Sequence, residues 1–246
     1  MDEKRKLIHS LLFPVFFVAL LWFIKLMEVL SGTSLSFLGI YPLKVKGLIG
    51  IITAPLIHGD VNHLINNSIP FLVLCVGTFY FYRPLGYKIF FLTWLITGIW
   101  VWCGGRAAYH IGASGIVYGL ASFLFFSGTI RKIPGLAAVS MIVVFLYGSM
   151  IWGIFPFIPD ISWESHLAGG IAGLILAILY RKDGPQPKKY EWEILTEEDI
   201  EEENMEKIDD FLDNMKRPKK RIRYFYEPRS KEEINHHDQE NLSKES

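Results

Sequence analysis

A serine and a distant histidine are the residues of this chain that could together carry out covalent chemistry. Ser114 lies in the stretch HIGASGIVYGL, residues 110–120, between small residues and four positions before Tyr118. A serine becomes an effective nucleophile when a base accepts its proton, and histidine is the usual base near neutral pH. His166, in the stretch SHLAGGIAG, is the natural base. The pair predicts acyl transfer.

Hydrogen-bond donors for a developing oxyanion are a second requirement of acyl transfer. Ser114 is predicted to open a helix, where backbone N–H groups lack helical partners and favour negative charge. In the stretch HGDVNHLINN, His63 and Asn67 are four residues apart and so share one helix face. Both side chains can donate. His58 precedes them in the turn before the helix, with Asp60 or Asn62 as cap, and we interpret it as a histidine that stabilises this loop.

A Ser-His dyad fits the sequence better than a triad. The two acidic residues nearest His166 along the chain, Asp160 and Glu164, are explained by cap and loop roles. Tyr118 follows Ser114 by one helical turn and is expected to pack on the imidazole ring.

Membrane helices are the elements that must position these residues. The chain of 246 residues is 51% hydrophobic, and its mean hydropathy is +0.28. A spanning helix needs about 20 mostly apolar residues. Six apolar blocks approach this length, at roughly 9–29, 61–82, 88–103, 114–130, 134–155 and 163–180. We predict an all-α membrane protein with six transmembrane helices, in which Lys25 extends to the far interface.

Small residues indicate how the fourth and sixth blocks meet. Faces with small residues at every fourth position let membrane helices approach backbone to backbone. Such faces are formed by Gly115 and Gly119 on the fourth block and by Gly169 and Gly173 on the sixth. Gly112 and Ala113 are expected to let the chain turn into the fourth helix. The contact between the glycine faces of the fourth and sixth blocks would bring Ser114 and His166 together.

Basic residues predict the orientation of the helices. With six spans and a cytoplasmic N-terminus, the cytoplasmic side receives most of the Lys and Arg residues outside the spans, which agrees with the positive-inside rule. Those on the cytoplasmic side are Lys4, Arg5, Lys6, Arg83, Lys88, Arg131, Lys132, Arg181, Lys182, Lys188 and Lys189, against Lys44, Lys46 and Arg106 outside. Both termini are then cytoplasmic. The second, fourth and sixth helices start at the outer face, so their polar residues lie at one level.

The charge is divided between two segments. Residues 1–182 hold 13 Lys/Arg and 6 Asp/Glu, a net charge of +7, and residues 183–246 hold 12 and 19, a net charge of −7. We predict a membrane domain over 1–182 and a charged, acidic, largely disordered cytoplasmic tail over 183–246. Thr196 begins a capping-box pattern that predicts one short helix in the tail. We interpret the tail as a solvated appendage or as a segment that binds a protein partner.

Three motifs in this order, HGDVNHLINN, HIGASGIVYG and SHLAGGIAG, resemble those of the rhomboid intramembrane serine proteases over roughly residues 10–182. The resemblance implies that Ser114 is the nucleophile and His166 the general base. It implies oxyanion donors at Asn67, His63 and the Ser114 amide, with Tyr118 and His58 in supporting roles. It also implies a first outer loop lying partly in the membrane.

Two departures from the rhomboid pattern are visible. Many members carry a Trp-Arg pair in the first loop, where this chain reads GLIGIIT, residues 47–53. Many also have a glutamate near the end of the second helix, where this chain reads FYFYRPLG, residues 79–86. The resemblance therefore carries no expectation for how this loop is anchored or how the inner end of the second helix is fixed, and neither departure affects the dyad.

The predicted function is cleavage of transmembrane segments of other proteins near the outer face of a membrane, which we take to be a bacterial inner membrane. The predicted partners are transmembrane substrates and the lipid bilayer, with no nucleic acid and no cofactor. Three aromatic residues, Trp152, Phe155 and Phe157, stand beside a proline-rich outer loop and are predicted to gate lateral access. An aromatic belt at the interface is the alternative.

Three other functions remain open from sequence. A metal hydrolase could use His58, His63, His166 and Asp60, although the sequence has no HExxH spacing. A non-catalytic relative could hold membrane clients, but such proteins typically lack the serine or the histidine. A transporter would place its polar residues at the midplane rather than near one face.

Overall fold

Helices account for nearly all regular structure in the protein. The computed structural model describes residues 3–146, 152–157, 161–186 and 197–216. The helices of more than ten residues in these ranges are α1 Glu3–Ser31, α2 Val61–Phe81, α3 Arg83–Gly104, α4 Ser114–Ile130, α5 Pro134–Leu146, α6 Trp163–Leu179 and α7 Glu197–Lys216. Within the same ranges no strand forms, and one antiparallel β-bridge joins Ile40 to His110. The prediction of an all-α fold is confirmed.

In the described ranges, three helices are long and apolar enough to cross a membrane. They are α1, α2 and residues Leu85–Gly104 of α3. The helices α4 and α6 are apolar but have only 17 residues each. α5 ends at Leu146 in the described part of the chain, and residues 147–151 of the predicted fifth span lie outside the described residues. The count of six spans and the cytoplasmic termini stay predictions.

α4 is the central helix of the bundle. Ten of its 17 residues are buried, whereas α1 buries only five of 29. The interior around α4 includes Ile116, Leu120, Phe123 and Leu124, each at most 1% exposed. A helix enclosed on several sides holds its first residue in a fixed place, and in α4 that residue is Ser114.

Glycines bring α4 and α6 into backbone contact. A β-carbon added at Gly169 would collide with the carbonyl oxygen of Gly115, and one added at Gly173 would collide with that of Gly119. On its other side α4 meets α3, where Thr93 approaches Gly119 and Thr97 approaches Gly115 through their methyl groups. Side chains larger than hydrogen at these glycines would force the helices apart.

The first loop, residues 32–60, packs on α3 and on the segment before α4. It consists of short helical turns at Ser36–Leu38, Val45–Gly47, Gly50–Thr53 and Ala54–Leu56. Two tryptophans of α3 donate to its backbone: Trp94 Nε1 to the Ile51 carbonyl at 2.9 Å and Trp102 Nε1 to the Lys44 carbonyl at 3.0 Å. These bonds anchor a loop that lacks the Trp-Arg pair. Its depth in the membrane stays a prediction.

Lys25 stabilises the junction between α1 and the start of α2. Its Nζ donates to Glu28 Oε2 at 2.8 Å and to the carbonyl oxygens of His58 and Gly59 at 3.0 Å each. Glu28 in turn accepts the Leu35 amide at 2.8 Å. A mostly buried charge is tolerated when it is paired and hydrogen-bonded in this way. The expectation that Lys25 reaches the far interface stays a prediction, and two of its partners come from a distant segment.

α2, α4 and α6 begin at the same end of the bundle, which we call the site end. At the opposite end, a buried arginine connects the ends of the helices. Arg131, 4% exposed, donates from Nε to Ser127 Oγ at 2.9 Å and from Nη1 to the Pro185 carbonyl at 2.9 Å. Its Nη2 donates to the Tyr180 carbonyl. Tyr82, at the end of α2, donates its hydroxyl to Ser127 at 2.8 Å, so one arginine fixes the ends of three helices.

The chain divides into two compact units, Met1–Lys188 and Lys189–Ser246. In the second unit, the helix that the sequence predicts after Thr196 is present as α7. Its apolar residues, Met205, Ile208, Phe211, Leu212 and Met215, are exposed. The predicted disorder of the tail concerns residues 187–196 and 217–246, which lie outside the described residues.

Candidate active site

Ser114 and His166 are hydrogen-bonded to each other. Ser114 is the first residue of α4 and His166 lies in the first turn of α6. His166 Nε2 is 2.8 Å from Ser114 Oγ. Each residue is 7% exposed. The contact joins residues 52 positions apart, and it exists because the glycine faces of α4 and α6 meet directly below it.

The second nitrogen of His166 determines which way the proton of Ser114 points. Nδ1 is 2.8 Å from the carbonyl oxygen of Gly153. A carbonyl only accepts, so Nδ1 carries a hydrogen and donates it. A neutral ring then leaves Nε2 as an acceptor for the Ser114 hydroxyl. This is the tautomer that a general base needs.

The Gly153 carbonyl accepts from His166 Nδ1, as the aspartate of a Ser-His-Asp triad does, and sequence reasoning missed it. Backbone carbonyls are present at every residue, so no pattern could have marked this one. Of the two carboxylates considered in the sequence, Asp160 lies outside the described residues. Glu164 makes no hydrogen bond to the ring of His166, and it accepts the Arg106 amide at 3.4 Å.

Tyr118 packs on the ring of His166, as its spacing from Ser114 predicts. The two rings are stacked with centroids 4.2 Å apart and planes 9° apart. This contact and the bond to Gly153 together fix the orientation of the imidazole.

Gly112, His63 and Asn67 converge in front of Ser114. Gly112 has φ of +106°, a backbone conformation that glycine adopts most readily. A β-carbon at this position would lie 2.8 Å from His63 Nε2 and 3.5 Å from Asn67 Nδ2. Glycine is therefore needed both for the turn and for the close approach of the two side chains.

Asn67 presents a free donor at this point. It is 6% exposed, and Nδ2 has no hydrogen-bond partner among the described residues. An unpaired buried donor costs about 1–3 kcal/mol. Such a cost is recovered when a ligand oxygen accepts the hydrogen bond, which is what an oxyanion would do.

His58 contacts the backbone directly before Ser114. Its Nε2 accepts the Ala113 amide at 3.4 Å, and its ring meets that of His63 edge-on with centroids 5.1 Å apart. Burial lowers the pKa of His58 to about 3. The ring is therefore neutral near pH 7, as an acceptor must be. His58 stabilises two loops, its own and the one that carries Gly112.

The helix that carries His63 and Asn67 begins at a well-formed cap. Asp60 Oδ1 accepts the His63 amide at 2.8 Å, and this bond lowers the pKa of the Asp60 carboxyl. Asp60 is thus the cap of α2, one of the two candidates in the sequence. In the part of the chain that the structure describes, no three His, Cys, Asp or Glu side chains are arranged to hold a metal ion.

Comparison with known proteins identifies a family and a set of relatives. The sequence model of the family described as "Rhomboid domain" matches residues 46–183, more than half of the chain. An uncharacterized protein of Mycobacterium tuberculosis is 36% identical over 174 residues, which are 66% of this chain and 72% of the relative. An uncharacterized protein of Mycobacterium leprae is 33% identical over 179 residues, covering 66% of this chain and 68% of the relative.

Proposed function

This chain belongs to the rhomboid family, and on that premise we propose that it is an intramembrane serine endopeptidase with Ser114 as nucleophile and His166 as general base. The observation that carries the proposal is the 2.8 Å bond from Ser114 Oγ to His166 Nε2, in a ring whose Nδ1 faces a carbonyl. The three apolar helices and the rhomboid domain indicate an integral membrane protein.

The first half of the reaction acylates the serine. Ser114 Oγ attacks the scissile carbonyl carbon while its proton moves to His166 Nε2. The carbonyl oxygen becomes an oxyanion that accepts hydrogen bonds from Asn67, His63 and the Ser114 amide. When the tetrahedral intermediate collapses, the C–N bond breaks and the His166 proton goes to the leaving amine.

Hydrolysis of the acyl-enzyme completes the cycle. His166 accepts a proton from water as its oxygen attacks the ester carbon, and the same oxyanion donors stabilise the second intermediate. Breaking the bond between Ser114 Oγ and the acyl carbon returns the proton to the serine. During both steps His166 is transiently positive, and the carbonyl of Gly153 stabilises that charge at Nδ1.

The proposed substrates are transmembrane segments of other proteins. A peptide bond in a helix is shielded by its own hydrogen bonds, so the segment must unwind before Ser114 can attack. Segments with Gly, Ala or Pro near the cleaved bond are expected to be preferred, since Gly and Pro weaken helices and small side chains allow close approach.

We extend the proposal to the gate and to topology. Trp152, Phe155 and Phe157 are exposed and contact one another with centroids 5.4 to 6.4 Å apart. They flank Gly153, whose carbonyl orients His166, so movement of this segment would admit substrate.

Residues 1–182 form a six-span membrane domain with cytoplasmic termini, and 183–246 form its cytoplasmic tail, in a bacterial plasma membrane.

The test is cleavage of a model transmembrane substrate in liposomes by the full chain and two variants, Ser114→Ala and His166→Ala. Both variants are expected to lose cleavage, while Ser122→Ala, a serine on the same helix that bonds a carbonyl, keeps it. A fluorophosphonate should label the wild-type protein at Ser114 alone. Full cleavage by either dyad variant, or a label on another serine, refutes the assignment.

A further inference from the structure

Another buried histidine, His110, lies four residues before Ser114 in a chain of hydrogen bonds. His110 is 2% exposed. Its Nδ1 is 2.6 Å from Ser162 Oγ, and Ser162 Oγ is 2.7 Å from Ser165 Oγ. Its Nε2 is 3.0 Å from the Arg106 carbonyl oxygen. The chain therefore runs from the segment before α4 to the first turn of α6.

The donors and acceptors in this chain have one consistent direction. The Arg106 carbonyl only accepts, so His110 Nε2 carries a hydrogen. In the neutral ring Nδ1 then accepts from the Ser162 hydroxyl. Ser162, having donated its hydrogen, accepts from Ser165. In this chain of hydrogen bonds, both ring nitrogens of His110 and the hydroxyls of Ser162 and Ser165 each form at least one hydrogen bond.

Ser165, at the end of this chain of hydrogen bonds, lies next to both residues of the candidate dyad. Ser165 directly precedes His166. A β-carbon added at Gly115, the residue after Ser114, would lie 3.1 Å from the Ser165 carbonyl oxygen. The chain thus meets the dyad within one residue of the base and one residue of the nucleophile.

His110 is held from the first loop as well. Its backbone pairs with Ile40 through two bonds, from the His110 amide at 2.8 Å and to the His110 carbonyl at 3.0 Å. Arg106 also links the segment before α4 to the start of α6. Its Nη2 donates to the Ile161 carbonyl at 2.8 Å, and its Nε lies 3.6 Å from Glu164 Oε1.

We propose that His110 is a positioning residue for the Ser114–His166 pair, because its ring, through Ser162 and Ser165, sets the start of α6 against the segment that leads into α4. The inference rests on the proposed protease function. A displacement of about 1 Å in a catalytic pair can cost on the order of 100-fold in rate, so loss of this chain should affect the chemical step rather than substrate binding.

Three variants of His110 separate positioning from packing. Asparagine can place its Oδ1 near the position of Nδ1 and accept from Ser162, whereas glutamine extends toward the position of Nε2 and leucine replaces neither nitrogen. We expect His110→Leu to lower kcat by roughly 100-fold with KM unchanged. His110→Asn should recover most of that loss, and His110→Gln should not.

The measurements are cleavage kinetics in liposomes, the rate of fluorophosphonate labelling at Ser114 and the thermal unfolding midpoint in detergent. If all three variants lose kcat equally and in proportion to the decrease of their unfolding midpoints, His110 only fills space. If His110→Leu keeps full activity, His110 does not position the dyad. Either result overturns the proposal.

Ser162→Ala keeps the proposal testable if the leucine variant does not fold, since it removes one hydroxyl from the middle of the chain. It should lower kcat with KM unchanged, and adding His110→Gln should cause no further loss, because both changes break the same link between His110 Nδ1 and Ser162. Additive losses contradict the proposal.

The outcomes distinguish this proposal from the proposed function. If the wild-type protein is neither labelled nor active, the proposed function fails, and the role of His110 with it. If the wild type is active and these variants match it, only the role of His110 fails.

Discussion

The two ends of the bundle treat buried polar groups in opposite ways. At the opposite end, Arg131 donates to one hydroxyl and two carbonyls, and the Tyr82 hydroxyl is bonded as well. At the site end, buried atoms without a hydrogen-bond partner among the described residues include His58 Nδ1, Asn67 Nδ2 and Glu164 Oε2. The two others, on Thr93 and Thr97, belong to α3 where it meets α4. None of the five lies at the opposite end.

The difference separates stability from function. A satisfied network holds helix ends together and leaves nothing for a ligand, whereas an unpaired buried donor costs free energy until something binds it. The site end keeps such a donor beside the candidate nucleophile. Substitutions at the two ends should therefore have different readouts: activity at the site end and stability at the opposite end.

The largest effect is expected from the glycine contact that supports the site end. Gly169→Ala places a β-carbon against the Gly115 carbonyl, so α6 must shift and the Ser114–His166 bond must lengthen. Cleavage should fall by at least about 100-fold. Gly170→Ala is the control, because a β-carbon there meets nothing within 4 Å. Similar activity of the two variants would contradict the importance of this contact.

The oxyanion donor comes next in size. Asn67→Ala removes the unpaired Nδ2 and is expected to lower kcat by about 100-fold, the lower end of the usual cost of losing one such donor. The unfolding midpoint should change little, because Nδ2 has no hydrogen-bond partner in the part of the chain that the structure describes. The neighbouring Asn66 is exposed, and Asn66→Ala should retain activity. A large loss of stability in Asn67→Ala with normal kcat would assign the residue to packing.

The opposite end should respond in the reverse sense. Arg131→Gln leaves the Tyr180 and Pro185 carbonyls without their donors, and we expect the free energy of unfolding to drop by about 3 kcal/mol. Protein that remains folded should keep its kcat, measured below the unfolding midpoint. Lys132→Gln, at the exposed neighbour, should do neither. If Arg131→Gln were stable but inactive, the separation between the two ends would be wrong.

The smallest expected effect is a pH dependence of stability. An unfolded chain binds a proton at His58 near pH 6.5, whereas burial lowers the pKa in the folded protein to about 3. Between these values unfolding takes up a proton, so the free energy of unfolding decreases as the pH falls. One such site contributes at most about 1.4 kcal/mol per pH unit.

His58→Gln tests this contribution, because its amide oxygen can still accept the Ala113 amide without titrating. The unfolding free energy of this variant, measured between pH 4 and 6.5 in detergent, should depend less steeply on pH than that of the wild type. An unchanged slope would show that His58 does not stay neutral in the folded protein.

Several particular features were accessible from the sequence. The apolar blocks predict helices α1 to α4 and α6 close to where they lie, because hydrophobic length is a local property. The small-residue spacing marks the faces of α4 and α6 that meet. The residues expected at the site, from His63 and Asn67 to Ser114, Tyr118 and His166, lie together. Their roles stay proposals.

Other features depend on the folded chain. Gly153 orients His166 through a backbone carbonyl, which leaves no signature in the sequence. The position of Lys25 in the first apolar block predicts a lysine that extends to the interface, and its bonds to the carbonyls of His58 and Gly59 are visible only in the folded chain. Arg131 read as a cytoplasmic loop charge, yet it is buried against carbonyls more than 45 positions away.

The sequence by itself determined the membrane helices, the order of the three motifs and the family, because periodicity, hydropathy and side-chain type are local. Only the tertiary structure decided which acceptor faces His166 Nδ1, what holds the two ends of the bundle and how His110 connects the first loop to α6. Those outcomes are set by hydrogen bonds between distant segments, many to backbone carbonyls, and a carbonyl acquires its role only when the packed helices bring a donor to it.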